Sequence, residues 1–237
     1  MNDVFELPEN YFLINKPAGW TSFDVIGFIR TNIRKAWPDL KNIKVGHAGT
    51  LDPFATGLLI VGLGREATRG LDQFKNLPKT YVATLHLGAV SDTQDSTGII
   101  TKMSDVEPPE KTILDVLPKF QGEQRQLPPM FSAKKIAGQR LYKLARQGKE
   151  VEREPTTITI YSLKLLSYKY PNLTLEIRCS AGTYIRTVAH DIGQALGTGA
   201  YCDRLERTVI GEYYVTDALA PEAALTKILQ DFSIRKT

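Results

Sequence analysis

One stretch of this chain concentrates residues that can do chemistry: Gly46-His47-Ala48-Gly49-Thr50-Leu51-Asp52-Pro53-Phe54-Ala55-Thr56-Gly57. It holds a single carboxylate, and the apolar run Leu58-Leu59-Ile60-Val61 follows it. Glycine permits positive φ and close backbone approach, and Pro53 pushes Asp52 out of the helical region. The pattern predicts a rigid loop that presents one acid and then feeds a buried strand. Such a carboxylate can act as a nucleophile or as a general base. A surface turn would use many of the same residue types, so the rest of the chain must decide.

A nucleophilic carboxylate must stay ionised, and a nearby arginine favours that form and fixes its direction. Arg186, after the glycine turn Ser180-Ala181-Gly182, is one candidate among many. A base-binding pocket also needs an aromatic face. Tyr81 at a strand start and Tyr184 beside Arg186 are candidates, although a tyrosine is more often a core aromatic with a hydrogen-bonded hydroxyl.

The elements that must position these groups read from periodicity. Tyr11-Phe12-Leu13-Ile14 is a short buried strand, broken by Asn15-Lys16-Pro17-Ala18-Gly19-Trp20. Thr21 or Ser22 can cap a helix whose apolar face is Val25, Ile26, Ile29 and Ile33. After Gly64 a short helical piece leads to Lys79–Leu87, where Tyr81, Ala83, Leu85 and Leu87 share one strand face and His86 lies on the other. Gly88 to Gly98 is polar and turn-rich. Its Asp95-Ser96-Thr97-Gly98 lacks the spacing and the second acid motif of an aspartic protease, so that chemistry is set aside. Pro108-Pro109 opens a helix carrying Ile113, Leu114, Val116, Leu117 and Phe120. Two alternating strands follow, marked by Ile158 and Ile160 and by Leu173, Leu175, Ile177 and Cys179. A helix then carries Val188, Ala189, Ile192 and Leu196. Tyr201 to Tyr214 reads as a loop into a strand, and Pro221 opens a last helix with Ala224, Leu225, Ile228 and Leu229. There is no repeat and no low-complexity linker, so one α+β domain is the economical expectation.

Composition bounds the function classes. The 237 residues can bury a sizeable core. No apolar run approaches the length of a membrane span, and the first residues lack the pattern of a signal peptide. Cys179 and Cys202 form no CxxC motif, which fits a reducing cytoplasm. His47, His86 and His190 show no metal-ligand spacing, so no metal is expected. No P-loop or dinucleotide fingerprint is present. The net charge of +4 hints only mildly at a polyanionic partner. Its distribution says more: between Lys119 and Glu154 there are nine Lys/Arg against four Glu, an excess of +5, so the remainder sums to −1. This basic segment contains prolines and apolar residues. A long irregular stretch of that kind predicts a nucleic-acid-contacting arm better than it predicts a solvated helix face.

The motif around Asp52 resembles the active-site motif of the TruB-type tRNA pseudouridine synthases. Other blocks resemble that family in the same order. They are Lys16-Pro17-Ala18-Gly19-Trp20-Thr21-Ser22, Lys79-Thr80-Tyr81, Gly88 to Gly98, Gln126-Leu127-Pro128-Pro129 through Tyr142, Gly182-Thr183-Tyr184-Ile185-Arg186 and Leu205-Glu206-Arg207-Thr208. Together they cover about residues 11–215.

The resemblance implies the pseudouridine synthase fold, an α+β architecture with a mixed, mainly antiparallel central sheet, flanking helices and an RNA-binding insertion. It implies one catalytic domain over 1–237, with the thumb-like insertion at about 121–154; many members of the family also carry a C-terminal PUA domain, and the stretch after Tyr214 is too short for one, so none is expected. The implied reaction isomerises the T-loop uridine at tRNA position 55 to pseudouridine, with no cofactor, in a cytoplasmic monomer that needs no protein partner. Asp52 would be the nucleophile, Tyr81 would stack on the flipped base, and Arg186 would pair with Asp52. His47 would contact the RNA backbone, and Tyr184 and Leu205 would line the pocket. Lys16, Lys134 and Arg140 join the substrate-binding set. Ala48 and Ser91 depart from the residues usual in the family at those positions, away from the implied chemistry. Two other readings are a non-catalytic tRNA-folding protein and a guide-RNA-dependent synthase subunit.

Overall fold

The computed structural model describes residues 7–132, 135–136, 138–145, 147–149 and 151–234. It is a mixed α+β structure whose strand pairs are mostly antiparallel. Contacts divide the chain into two compact units, Met1–Thr80 with Glu206–Thr237, and Tyr81–Leu205.

The first unit opens with strand β1 (Tyr11–Lys16) and helix α1 (Ser22–Ala36). Thr21 caps α1: its side chain accepts from Asp24 N, and the Asp24 carboxylate accepts from Thr21 N, a reciprocal capping box. The buried residues of α1 include Val25, Ile26, Ile29 and Ile33, the face read from the sequence. Strands β2 (Val45–Ala48) and β3 (Thr56–Leu63) follow and pair antiparallel, His47 facing Val61. The loop expected over 46–57 is therefore narrower, because Gly46 to Ala48 belong to a strand. Gly46 suits that strand because an added Cβ would meet the Leu71 side chain at 2.9 Å. From Gly57 to Leu63 strand β3 is buried and carries no polar side chain, because both its faces are covered. Leu59, Val61 and Leu63 pack with α1, whereas Leu58 and Ile60 pack with Leu71 and Phe74. The latter two come from the end of helix α2 (Arg65–Gly70) and from helix α3 (Asp72–Lys75). Strand β4 (Lys79–Leu87) then carries the chain across the boundary between the units.

In the second unit, β4 buries Tyr81, Ala83, Leu85 and Leu87 in strict alternation. His86, on the opposite face, stacks on Tyr201 at 5.0 Å. Strands β5 (Ala89–Ser91) and β6 (Ile100–Lys102) form a small hairpin. Helix α4 (Glu110–Val116) buries Ile113 and Val116 but leaves Leu114 exposed, contrary to the apolar face expected there, since Leu114 lies off the stripe that those two residues define. Strand β7 (Gly122–Gln126) opens the basic segment. The short strands β8 (Lys135–Ile136) and β9 (Gln139–Arg140) pair, and helix α5 (Leu141–Ala145) follows. Strands β10 (Thr156–Lys169) and β11 (Asn172–Cys179) are antiparallel, and β7 pairs with β10. Helix α6 (Ile185–Ala195) buries Val188, Ala189 and Ile192. Strand β12 (Ala200–Ile210) comes next, and the strand order in this unit is β12-β4-β11-β10-β7. Residues 201–210 are thus a strand from the outset rather than a loop. Leu205 and Arg207 alternate inward there, a period-two pattern partly hidden because one of its buried members is charged.

The end of β12 returns to the first unit, where it runs parallel to β3, with Arg207 opposite Gly57. Strand β13 (Tyr213–Tyr214) pairs back on β12. Helix α7 (Pro221–Ile234) sets Ala224 and Ile228 into the core shared with α1 and β3.

Candidate active site

Asp52 lies between β2 and β3, half-buried, with Leu51 and Ala55 fully packed on either side. Gly49 starts the turn at φ +79°, a left-handed conformation that favours glycine. Each part of the turn is fastened. The Ser22 hydroxyl accepts from Leu51 N at 2.8 Å and donates to Leu51 O at 3.3 Å. Gly19 N donates to Pro53 O at 2.8 Å, and Ala55 N to Asp52 O at 3.1 Å. The buried guanidinium of Arg207 donates from Nη2 to Gly49 O at 3.0 Å and from Nε to Leu58 O at 2.8 Å.

Lys16 is wholly buried. Its ammonium donates to Trp20 O at 2.6 Å, Pro17 O at 2.8 Å and Pro53 O at 3.4 Å. Burial lowers its pKa to about 8, against the pull of the Asp52 carboxylate, and the Arg207 charge adds to the lowering. The residue expected to bind substrate is therefore engaged with the backbone that flanks Asp52. His47, on β2, has its pKa lowered to about 4 by burial, with smaller contributions from the charges of Arg207 and Lys75. Its ring is neutral near pH 7, and its Nδ1 is buried with no protein hydrogen-bond partner among the described residues.

The second unit holds Tyr81, Tyr184, Arg186 and Leu205. Tyr81 and Leu205 are buried, and Tyr184 is half-buried at the N-terminus of α6. The Gln126 side chain fixes Tyr184 on both sides of its backbone: Tyr184 N donates to Oε1 at 2.8 Å, and Nε2 donates to Tyr184 O at 3.0 Å. Arg186, in the first turn of α6, is 3% exposed as a side chain and lies 3.3 Å from Asp95 Oδ2, itself 6% exposed. It also donates to Thr93 O and Phe131 O, each at 2.8 Å. Asp95 in turn accepts from Thr93 Oγ1, Thr97 N and Thr97 Oγ1. This is a fully hydrogen-bonded buried pair, the condition under which burying two charges is tolerated. Of the basic segment's named residues, Lys134 lies outside the described residues, and Arg140 contributes its backbone to β9. No cluster of three or more His, Cys, Asp or Glu able to hold a metal occurs among the described residues.

The model of the TruB family pseudouridylate synthase N-terminal domain matches residues 37–185, more than half of the chain. The chain belongs to the TruB family. It is 46% identical over 211 residues to tRNA pseudouridine synthase B of Protochlamydia amoebophila, covering 89% of this chain and 78% of that relative. It is 41% identical to tRNA pseudouridine synthase B of Chlamydia felis, over 96% of each chain. Among solved structures, an H/ACA RNP bound to a substrate RNA containing 2′-deoxyuridine superposes with a TM-score of 0.65 at 28% identity, over 91% of this chain. A Cbf5-Nop10-Gar1 complex does so with a TM-score of 0.63 at 32% identity, over 86% of it. The chain spans about half the length of these two structural relatives, 52% and 50%.

Within this TruB-family chain, the sequence pointed to Asp52, Tyr81 and Arg186 but offered Ser22 only as a helix-cap candidate and gave no site role to Asp95, Gln126 or Arg207. A signal existed for two of them. Arg207 stands at an inward period-two position of a strand, where a charge needs partners. Asp95 precedes Thr97 by two residues, the spacing of a side chain that caps its own turn.

Proposed function

We propose that this chain converts the T-loop uridine at tRNA position 55 to pseudouridine, with Asp52 as nucleophile. Family membership and the shared name of the bacterial relatives support uridine-to-pseudouridine isomerisation in tRNA. The single observation that carries the assignment to Asp52 is its loop: one carboxylate, half-exposed, on a turn fastened at its base, flank and tip. A fixed nucleophile gains from proximity, which can supply several kcal/mol of the barrier, about 7–11 in well-oriented systems.

The reaction breaks the N1–C1′ bond, turns the base and forms a C5–C1′ bond. The proton leaves C5 and N1 ends protonated, so the isomerisation is redox-neutral and needs no cofactor. In this reading Tyr81 stacks on the extruded base, Tyr184 and Leu205 line the pocket, and Arg186 pairs with Asp52. His47 contacts the RNA backbone as a neutral imidazole. Extruding a base costs a few kcal/mol, which pocket contacts repay. The basic segment at about 121–154 supplies phosphate contacts to the T-arm, so binding weakens with salt while loop shape sets specificity. The enzyme would act as a cytoplasmic monomer without a protein partner. No helix among the described residues is long and apolar enough to cross a membrane.

Tritium release from tRNA labelled at uridine C5 tests the activity. Wild type should release label from an unmodified T-arm, and Asp52→Asn should release none while still binding tRNA. Near-normal turnover by Asp52→Asn would remove the nucleophile assignment.

A further inference from the structure

The reading of Asp52 as nucleophile leaves open what holds its loop against the pull of a flipping nucleotide. We infer that Arg207 is a positioning residue for the reaction: its guanidinium clasps both ends of the Asp52 turn and sets the reach of the carboxylate. This rests on the proposed role of Asp52.

Arg207 is 1% exposed, one of the largest fully buried side chains of the described protein. A buried guanidinium is costly unless its donors are used. Here two donors serve two carbonyls on opposite sides of Asp52, Gly49 O before it and Leu58 O after it. Gly49 lies where β2 turns away, and Leu58 is already in β3. One rigid, planar group therefore closes the turn at its base.

The backbone of Arg207 is fixed as well. It pairs with Gly57 in the parallel β3–β12 ladder, so closely that a Cβ on Gly57 would fall 2.4 Å from Arg207 O. The remaining fasteners, Ser22 on Leu51 and Lys16 and Gly19 on Pro53, hold the flank and tip of the turn. The β2–β3 ladder joins the two arms as far as Ala48 opposite Ile60, and Arg207 extends that closure to Gly49 O and Leu58 O, beside the turn itself. Lysine could not replace the clasp, because an ammonium on a flexible stem does not present two donors in a fixed fork.

The consequence is specific. Loss of the clasp loosens the geometry of Asp52 without removing an RNA contact, so the chemical step should suffer and binding should not. Displacement of a reacting group by about 1 Å is enough to cost about 100-fold in rate.

The test compares wild type, Arg207→Lys, Arg207→Met and Asp52→Asn, by single-turnover tritium release and by the Kd for a T-arm hairpin, with folding followed by circular dichroism. Arg207→Lys is expected to lower the single-turnover rate about 10- to 100-fold, with Kd within about twofold of wild type. A folded Arg207→Lys with a wild-type rate overturns the inference. So does a Kd that rises in step with the loss of rate, which would make Arg207 an RNA-binding group. If neither Arg207 variant folds, hydrogen exchange on the wild type decides. The Arg207 Nε proton, which is donated to Leu58 O, should exchange as slowly as the amides of Thr56–Leu63, and exchange typical of an exposed arginine overturns the clasp. Activity in Asp52→Asn would instead remove the nucleophile reading. An inactive Asp52→Asn beside a fully active Arg207→Lys would remove only the inference about Arg207.

Discussion

The Ser22 hydroxyl takes the hydrogen bond of Leu51 N at 2.8 Å, tying the first turn of α1 to the residue before Asp52. Both residues are buried, Ser22 at 1% and Leu51 at 3% exposure. In Ser22→Ala the Leu51 amide loses that hydroxyl in a place water reaches poorly. An unsatisfied buried donor costs about 1–3 kcal/mol. The expected outcome is a lower urea midpoint and a slower single turnover with unchanged tRNA affinity. Wild-type midpoint and rate would show that the tie contributes neither stability nor position.

The Asp95–Arg186 pair should behave as a buried ion pair that cannot lose one charge. Asp95→Asn keeps the shape but takes from the buried guanidinium of Arg186 the carboxylate 3.3 Å away. Removing one member of such a pair typically costs about 3–5 kcal/mol. Arg186→Lys should also destabilise, because an ammonium on a flexible stem lacks the fixed planar fork that reaches Asp95, Thr93 O and Phe131 O. Equilibrium urea unfolding measures both. A loss below about 1 kcal/mol in Asp95→Asn would mean that solvent reaches the pair and screens it.

Local pattern made much of this architecture readable before any coordinates. The spacing of Val25, Ile26, Ile29 and Ile33 defines the buried face of α1, and the alternation from Tyr81 to Leu87 defines β4, because each face meets a core that tolerates only apolar groups. Asp52 stood out through its glycines and proline, which report local backbone geometry. What stayed hidden is what depends on distant partners. The tie from Ser22 to Leu51 and the clasp of Arg207 join residues far apart in sequence, and no local periodicity encodes which carbonyl a donor will find. Strand β2 was missed for the same reason, since its glycine and histidine form a strand only when β3 lies beside them. Asp95 lay inside the block Gly88 to Gly98 with no role of its own, because its meaning comes from Arg186 on another element.

Two glycines with opposite surroundings give opposite predictions. Gly57 has φ +105°, and a Cβ there would meet the Arg207 backbone at 2.4 Å from O and 2.7 Å from N. Neither atom can move without parting β3 from β12. Gly57→Ala should therefore lose more than about 3 kcal/mol or fail to fold, among the largest single-residue effects. Gly27, within α1, has nothing within 4 Å of an added Cβ and no positive φ. Gly27→Ala should gain about 0.5–1 kcal/mol from helix propensity. Thermal melts of the two variants beside wild type test both. A tolerated Gly57→Ala would show that the two strands are less closely joined than their register implies.

His47 should make stability depend on pH over a defined window. Its native pKa is about 4, against an ordinary value of 6.5, chiefly because burial opposes the charged ring. Between these two values the unfolded chain binds the proton that the native protein refuses, so stability rises with pH there. The contribution is complete above pH 6.5 and drains away as pH falls through 4, amounting to at most about 3 kcal/mol. His47→Asn removes the titrating group. Its urea midpoint should fall less than that of wild type between pH 7 and pH 4.5. Because the ring is neutral near pH 7, the same variant should leave the salt dependence of tRNA binding unchanged, since that slope counts charges placed on phosphates. Parallel pH profiles for the two proteins would mean that His47 titrates normally, and a shallower salt slope would mean that it binds RNA as a cation.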